Sequence, residues 1–248
     1  MNILYKINFM WYKTAGKMFL ITVGSLLIVS TVIFSIFFVF YLWQVKYGNI
    51  EDLSKKYSPQ FTAHSDLDNT PQKTIENPDA YIRPYNPTKG EADAPVTILA
   101  FIDFQCPYSQ QAYTFLENIT TVYSPVIKVV FKYLPLIIDG DNDNFAAPLA
   151  ATCAHEQNKF WEYHNLIFQN KQFDAPSLRA AALQIGLDMD KFDACVSSKK
   201  YQQNIEQDMR DAIDMSVRGT PTYIINGQVV EGIVRLEIWN NLILGQLK

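Results

Sequence analysis

Hydrophobic positions fall into three regimes along the chain. From Met18 to Trp43 no charged residue interrupts the apolar run, which ends in Phe38, Phe40, Tyr41 and Trp43. A helix needs about 20 apolar residues to cross the hydrocarbon core of a bilayer, so this run is long enough with some tilt. From about 44 to 80 the composition turns polar, Pro59, Pro71 and Pro78 punctuate it, and no period is sustained. From Tyr81 onward, short apolar blocks alternate with helical periods, which is how a folded domain reads.

Within that domain, Val96 to Ile102 is nearly all apolar, as expected of a strand buried on both faces. Tyr108, Ala112, Phe115, Leu116 and Ile119 then share one helical face, behind Pro107, which suits a first helical position. A second apolar block, Val126 to Tyr133, follows Pro125. Strand, helix and strand at these lengths predict a βαβ unit with parallel strands and a right-handed crossover. Residues 141–216 carry only helical periods, with Asp174 and Asp188 as helix starts and Gly186 as a stop. The last of these helices is expected from about Lys199 to Met215. Asn226-Gly227 between two apolar β-rich runs predicts a tight hairpin, and Leu236, Trp239, Leu242 and Ile243 predict a closing helix.

Charge orients the first regime. Lys6, Lys13 and Lys17 precede the apolar run, with no acidic residue among them. Residues 1–17 are therefore expected in the cytoplasm, 18–43 as a transmembrane signal anchor, and everything after it outside. Tyr41-Leu42-Trp43-Gln44 makes a poor cleavage site and a good interfacial belt, so the anchor is read as uncleaved. Residues 44–80 are read as a polar tether, with a short helix near Ile50 to Tyr57 and a root-mean-square span of roughly 35 Å. The net charge of −4 and the lack of a basic block offer nucleic acid nothing to bind. Three cysteines are too few for a disulfide-built scaffold, so the domain needs an ordinary core.

Chemistry gathers at Cys106, between the first strand and Pro107. There it caps a helix, and the free N–H groups of Tyr108 and Ser109 are expected to point at its sulfur, favouring negative charge. The alternative is a small buried hydrophobe, as lone cysteines often are. A redox dithiol is Cys-x-x-Cys, and here the fourth position is Ser109. The attacking sulfur is kept and the resolving one is missing. Cys153 and Cys195 lie on apolar faces of predicted helices, and Cys153-x-His155 lacks the further ligands a metal site needs, so none is expected. His64 in the tether and His164 on a predicted helix are read as solvated or partly packed.

The order βαβ, helical stretch, Thr-Pro, hairpin and helix comes with four local motifs. They are Ala94-Pro95-Val96, the run from Phe101 through Cys106-Pro107-Tyr108, Glu156-Gln157-Asn158-Lys159-Phe160-Trp161, and Gly219-Thr220-Pro221-Thr222. Together they resemble the DsbA-like thiol–disulfide oxidoreductases, in their membrane-tethered bacterial branch. The resemblance covers 81–248. It implies an α/β architecture, a thioredoxin fold with a helical insertion at about 141–216, preceded here by one transmembrane helix.

By that resemblance, Thr220–Pro221 is a cis bond beside Cys106, and Pro107, Tyr108, Thr220 and Pro221 bind an extended substrate. Asp103 matches an acidic position near the thiol and is a candidate for proton transfer. Related branches pair cysteines in the insertion, which implies a structural Cys153–Cys195 disulfide. The implied partners are cysteine-containing proteins and an external thiol or redox protein, with no cofactor. Ser109 departs from the family's dithiol, so Cys106 and Ser109 together imply monothiol chemistry, with a mixed disulfide that an external thiol must release. A peptide-binding or chaperone-like module without turnover is the alternative.

Overall fold

The structure is a computed structural model that describes residues 30–39, 73–136 and 142–247. Residues 30–39 are helical, and most of their large apolar side chains, including Phe34, Ile36 and Phe37, are exposed. Among the described residues no helix is long and apolar enough to cross a membrane. The rest of the expected 18–43 span lies outside them, as does the helix expected near Ile50 to Tyr57.

The domain is a mixed sheet with helices against it. Its strands are β1 (Lys73–Thr74), β2 (Thr88–Gly90), β3 (Val96–Ile102), β4 (Ile127–Tyr133), β5 (Thr222–Ile225) and β6 (Gln228–Glu231). They lie in the order β1-β6-β5-β3-β4-β2. The apolar blocks take the middle: β3 pairs parallel with β4, Val96 opposite Ile127 and Ile102 opposite Tyr133, and antiparallel with β5. Helix α1 (Pro107–Val122) makes the crossover between β3 and β4. Continuous apolar sequence is what a strand flanked and covered on both faces requires, and six of the seven β3 residues are buried.

The insertion is all helix: α2 (Ala146–Glu156), α3 (Phe160–Asn170), α4 (Ala175–Gln184), α5 (Met189–Ser197) and α6 (Gln202–Asp214). Asp174 and Asp188 cap α4 and α5 by accepting the N–H groups of Ser177 and Lys191. Cys153 on α2 and Cys195 on α5 are joined by a disulfide with sulfurs 2.02 Å apart. The β5–β6 hairpin turns at Asn226 and Gly227, both with positive φ, as a type I′ turn requires. Helix α7 (Leu236–Gln246) closes the chain and packs Trp239 edge-on to Tyr223.

Two edges differ from the expectation. The ordered sheet begins before Tyr81, because Lys73 and Thr74 pair with Val229 and Gln228 on β6, inside the predicted tether. Ile75 N–H then donates to Gly227 O, and a Cβ on Gly227 would sit 2.5 Å from Ile75 O. The bare turn lets the incoming chain pass. β2 stands where no strand was expected, and in it Gly90 at φ +97 lies against the Ile127 carbonyl. Neither edge carries a sequence period, since each is only a few residues long.

One buried network ties the insertion to the sheet. Lys132 on β4 has no exposed surface, and its Nζ lies 2.6 Å from Asp208 and 2.7 Å from Asp211, both on α6. It also donates to the Tyr81 carbonyl at 2.9 Å. Arg83 pairs with both oxygens of Asp211, and Asn86 and Tyr85 donate to Asp208. Asp208 also accepts the Tyr133 N–H, beyond the point where β2 stops covering that edge. Burial pushes the Asp208 carboxyl up in spite of Lys132, whereas for Asp211 the same burial is outweighed by Arg83 and Lys132, which hold it below the ordinary range. Lys132→Met removes the cation these carboxylates face. Breaking such a pair costs about 3–5 kcal/mol, and urea unfolding is expected to show a loss of that order. A change within experimental error would show that the network contributes nothing.

Candidate functional site

The site is built where β3 gives way to α1. Cys106 is the N-cap of α1, with extended backbone at φ −68 and ψ 122, and Pro107 takes the first helical position. Its carbonyl accepts the first helical bond, from Gln110 N–H at 3.0 Å. The turn is held from below by Asp103, whose backbone oxygen accepts Cys106 N–H and whose Oδ1 accepts Gln105 N–H at 2.9 Å. Phe104 is fully buried against Phe131 and Phe168, so the residue between the two acts as a peg under the turn.

The sulfur does not behave as a simple helix cap. No N–H of α1 donates to it, contrary to the expectation for Tyr108 and Ser109. Instead the thiol donates to the Thr220 carbonyl across the site at 3.3 Å. Thr220–Pro221 is a cis peptide bond, and it brings that carbonyl to the cysteine. Beyond it, Thr222 Oγ1 donates to Gly219 O and Gly232 N–H to Pro221 O, so the loop is fixed on both sides. Cys106 is a free thiol and only 1 % exposed. Pro107 is exposed and Tyr108 half-buried, so the rim of the site is open where the sulfur is not.

Ser109 follows one turn later on the same face of α1. It is 1 % exposed, and its hydroxyl has no hydrogen-bond partner. The hydroxyl of Thr220, the residue whose carbonyl accepts the thiol, is also fully buried and unpartnered. Two residues beside one buried thiol thus carry buried hydroxyls without partners. Leaving such a group unsatisfied costs about 1–3 kcal/mol, whereas a thiol at position 109 would be a small hydrophobe at ease there.

Asp103 is buried three residues before the cysteine, with its second oxygen accepting Leu136 N–H at 3.0 Å. Burial raises its carboxyl to about 7, against the lowering effect of the Gln105 and Leu136 N–H groups. A group of this kind exchanges a proton near neutral pH. His164, expected solvated or partly packed, is instead enclosed among Phe104, Phe131, Phe160 and Phe168, with Nδ1 against Asn165. Burial lowers it to about 3, so it stays neutral and serves as core. Cys153 and Cys195 lie in the insertion, away from this constellation in sequence and bonded to one another. Among the described residues no cluster of His, Cys, Asp or Glu could hold a metal.

What sequence reasoning missed is the orphaned hydroxyl pair and the direction of the thiol, since both depend on the loop that folds across from β5. The Asp103 carboxyl sets a pH dependence whose sign is fixed. Its folded value, about 7, lies above the ordinary 3.8, so the native state keeps a proton that the unfolded chain has lost. Its stabilising contribution is complete below about pH 4, falls through the window up to about 7, and is constant above. Comparing wild type with Asp103→Asn by urea unfolding at mildly acidic and mildly alkaline pH isolates this contribution. The wild type is expected to lose stability relative to the variant by about 1.4 kcal/mol per pH unit across the window. Parallel profiles would place the carboxyl's titration elsewhere.

Comparison with known proteins gives this geometry its family. The sequence model of the family described as Thioredoxin matches residues 83–244. The chain is 35% identical over 151 residues to the Na(+)/H(+) antiporter NhaA 3 of Salinispora tropica, covering 60% of this chain and 23% of the antiporter. It is 33% identical over 150 residues to the Na(+)/H(+) antiporter NhaA 1 of Salinispora arenicola, with the same shares. The chain thus spans about a quarter of the length of the curated relatives it matches. Among solved structures, a periplasmic thioredoxin-like protein from Salmonella enterica serovar Typhimurium superposes with TM-score 0.57 at 26% identity, covering 71% of this chain and 99% of that one. A thioredoxin-like oxidoreductase from Silicibacter pomeroyi gives 0.61 at 21%, covering 69% and 97%. The thiol-disulfide exchange protein alpha-DsbA2 from Wolbachia pipientis gives 0.60 at 21%, covering 68% and 91%. With the family's model matched over most of the domain and the cysteine, cis-proline and helical insertion in the places this fold gives them, the chain belongs to the thioredoxin family.

Proposed function

We propose that the chain is a membrane-anchored, extracytoplasmic thiol–disulfide oxidoreductase that works through one sulfur. The observation that carries this is the pairing of a free thiol at Cys106, held against the cis Thr220–Pro221 loop, with a hydroxyl at Ser109 where a dithiol has its second sulfur. In the reaction, the Cys106 thiolate attacks a disulfide of a cysteine-containing protein. One S–S bond breaks, a mixed disulfide forms, and the departing sulfur takes up a proton. No second sulfur follows on the helix, so an external thiol or redox protein must attack the mixed disulfide and restore Cys106.

Each site residue has a part in this. Pro107 and Tyr108 border the opening, and the Thr220 carbonyl, which the thiol now occupies, is freed for the backbone of an extended substrate when the sulfur turns to attack. Asp103, whose carboxyl titrates near neutrality, exchanges the thiol's proton within the turn it supports. The near-complete burial of Cys106 favours a second reading, a peptide-binding module in which the sulfur is inert. Full-length protein incubated with a disulfide-containing peptide separates the two. The expected product is a mixed disulfide at Cys106 that persists until an added thiol releases it. Ser109→Cys is expected to shorten its lifetime and give an internal disulfide, and Cys106→Ala to give no adduct. No adduct with the wild type would leave the binding module.

The anchored, outward location draws on the charge-free run at 18–43, on the exposed apolar side chains of helix 30–39, and on the likeness to a segment of proteins named as Na(+)/H(+) antiporters. A disulfide between Cys153 and Cys195 is also what an oxidising compartment permits. Protease added to intact spheroplasts is expected to remove the domain, while the anchor stays in the membrane. A protected domain would refute this topology.

A further inference from the structure

We propose that Cys106 also carries oxidising equivalents as a sulfenic acid, formed by a small hydroperoxide and held between the hydroxyls of Ser109 and Thr220. This rests on the monothiol reading above. Without a sulfur at 109 the site cannot store oxidation as an internal disulfide. Whatever it stores must sit on Cys106 alone, and a bound oxygen is the smallest such store.

Three observations point to that oxygen. The thiol is 1 % exposed, which suits an oxidant the size of hydrogen peroxide better than the disulfide of a folded protein. Ser109 Oγ and Thr220 Oγ1 are both buried, and neither has a partner. Both residues also stand beside the sulfur: Ser109 is one helical turn from the N-cap on the same face, and Thr220 is the residue whose carbonyl accepts the thiol. An S–OH group offers one donor and acceptor lone pairs, and each hydroxyl can donate or accept. The bound oxygen therefore satisfies two groups that the reduced site leaves unsatisfied.

The chemistry balances. The sulfur attacks one peroxide oxygen, an S–O bond forms and the O–O bond breaks, and the thiol's proton leaves with the other oxygen as water or an alcohol. Sulfur is oxidised by two electrons and the peroxide is reduced by two. A substrate thiol then attacks the sulfenic sulfur, releasing water and forming the same mixed disulfide that thiol exchange gives. A second substrate thiol displaces Cys106 and leaves an oxidised substrate. A monothiol site can in this way oxidise dithiols.

The test treats full-length protein with stoichiometric hydrogen peroxide and follows the Cys106 peptide by mass spectrometry, with a carbon-acid trap for sulfenic acid. The expected result is a trappable single-oxygen species at Cys106 that outlasts the sulfenic acid of a free cysteine. Ser109→Ala and Thr220→Val are each expected to shorten its lifetime roughly three- to tenfold, the worth of one hydrogen bond, and Thr220→Ser to preserve it. Ser109→Ala removes only an unpartnered oxygen, so it tests the cradle even where Thr220→Val fails to fold. No trappable single-oxygen species at Cys106, or a lifetime indifferent to Ser109→Ala, overturns the proposal. Mixed-disulfide formation with peptide, measured on the same preparation without peroxide, reports separately on the monothiol reading.

Discussion

A lysine with no exposed surface must be neutralised where it stands, and that requirement on Lys132 arranges much of the domain. Two carboxylates from α6 supply the balance, and Arg83 offsets the second of them. The result fastens three parts at once: the strand that follows the crossover, the last helix of the insertion, and the chain leading into β2. Asp208 also satisfies the Tyr133 N–H on the open edge of β4, which would otherwise be left for another chain to pair with. Three residues further along, Leu136 N–H reaches Asp103. The strand that Lys132 fixes is therefore the one that holds the acid beneath the active turn.

From that frame the site follows by placement. A strand enclosed by neighbours on both edges delivers Cys106 to one end of the sheet, and Pro107 turns the chain into α1 without losing a hydrogen bond. The cis bond before Pro221 turns the Thr220 carbonyl across the gap. Because a carbonyl can only accept, the contact at 3.3 Å holds the sulfur as a thiol donor, and attack requires that contact to break. In the function proposed above, a substrate backbone that claims the carbonyl does two things in one motion. It docks, and it releases the nucleophile.

The parts legible in the sequence were those written in consecutive residues. The two apolar blocks, the Asn226-Gly227 turn and the Asp174 and Asp188 caps each carry a local physical reason, and each stands where the pattern puts it. Cys106 and Thr220-Pro221 were legible because motif and order agree. Lys132 was not, since a lone charge in an apolar block reads as an exception, and its partners Asp208 and Asp211 are more than seventy residues away. β1 was equally hidden. A two-residue edge strand has no period, and it exists only because Gly227 leaves its backbone room.

Replacing a resolving sulfur by a hydroxyl changes more than a count of thiols. In a dithiol site the helix itself limits how long any adduct lasts, because a second sulfur stands one turn away. At this site nothing on α1 can displace a partner, so the lifetime of an adduct is set by what reaches Cys106 from outside. Burial then becomes the controlling variable: the enclosure that slows attack by the sulfur equally slows its rescue. The orphaned hydroxyls of Ser109 and Thr220 fit this logic, since polar groups kept dry beside a reactive atom stabilise whatever polar state that atom enters. Under the monothiol chemistry proposed above, a site so made favours few, long-lived adducts over rapid turnover.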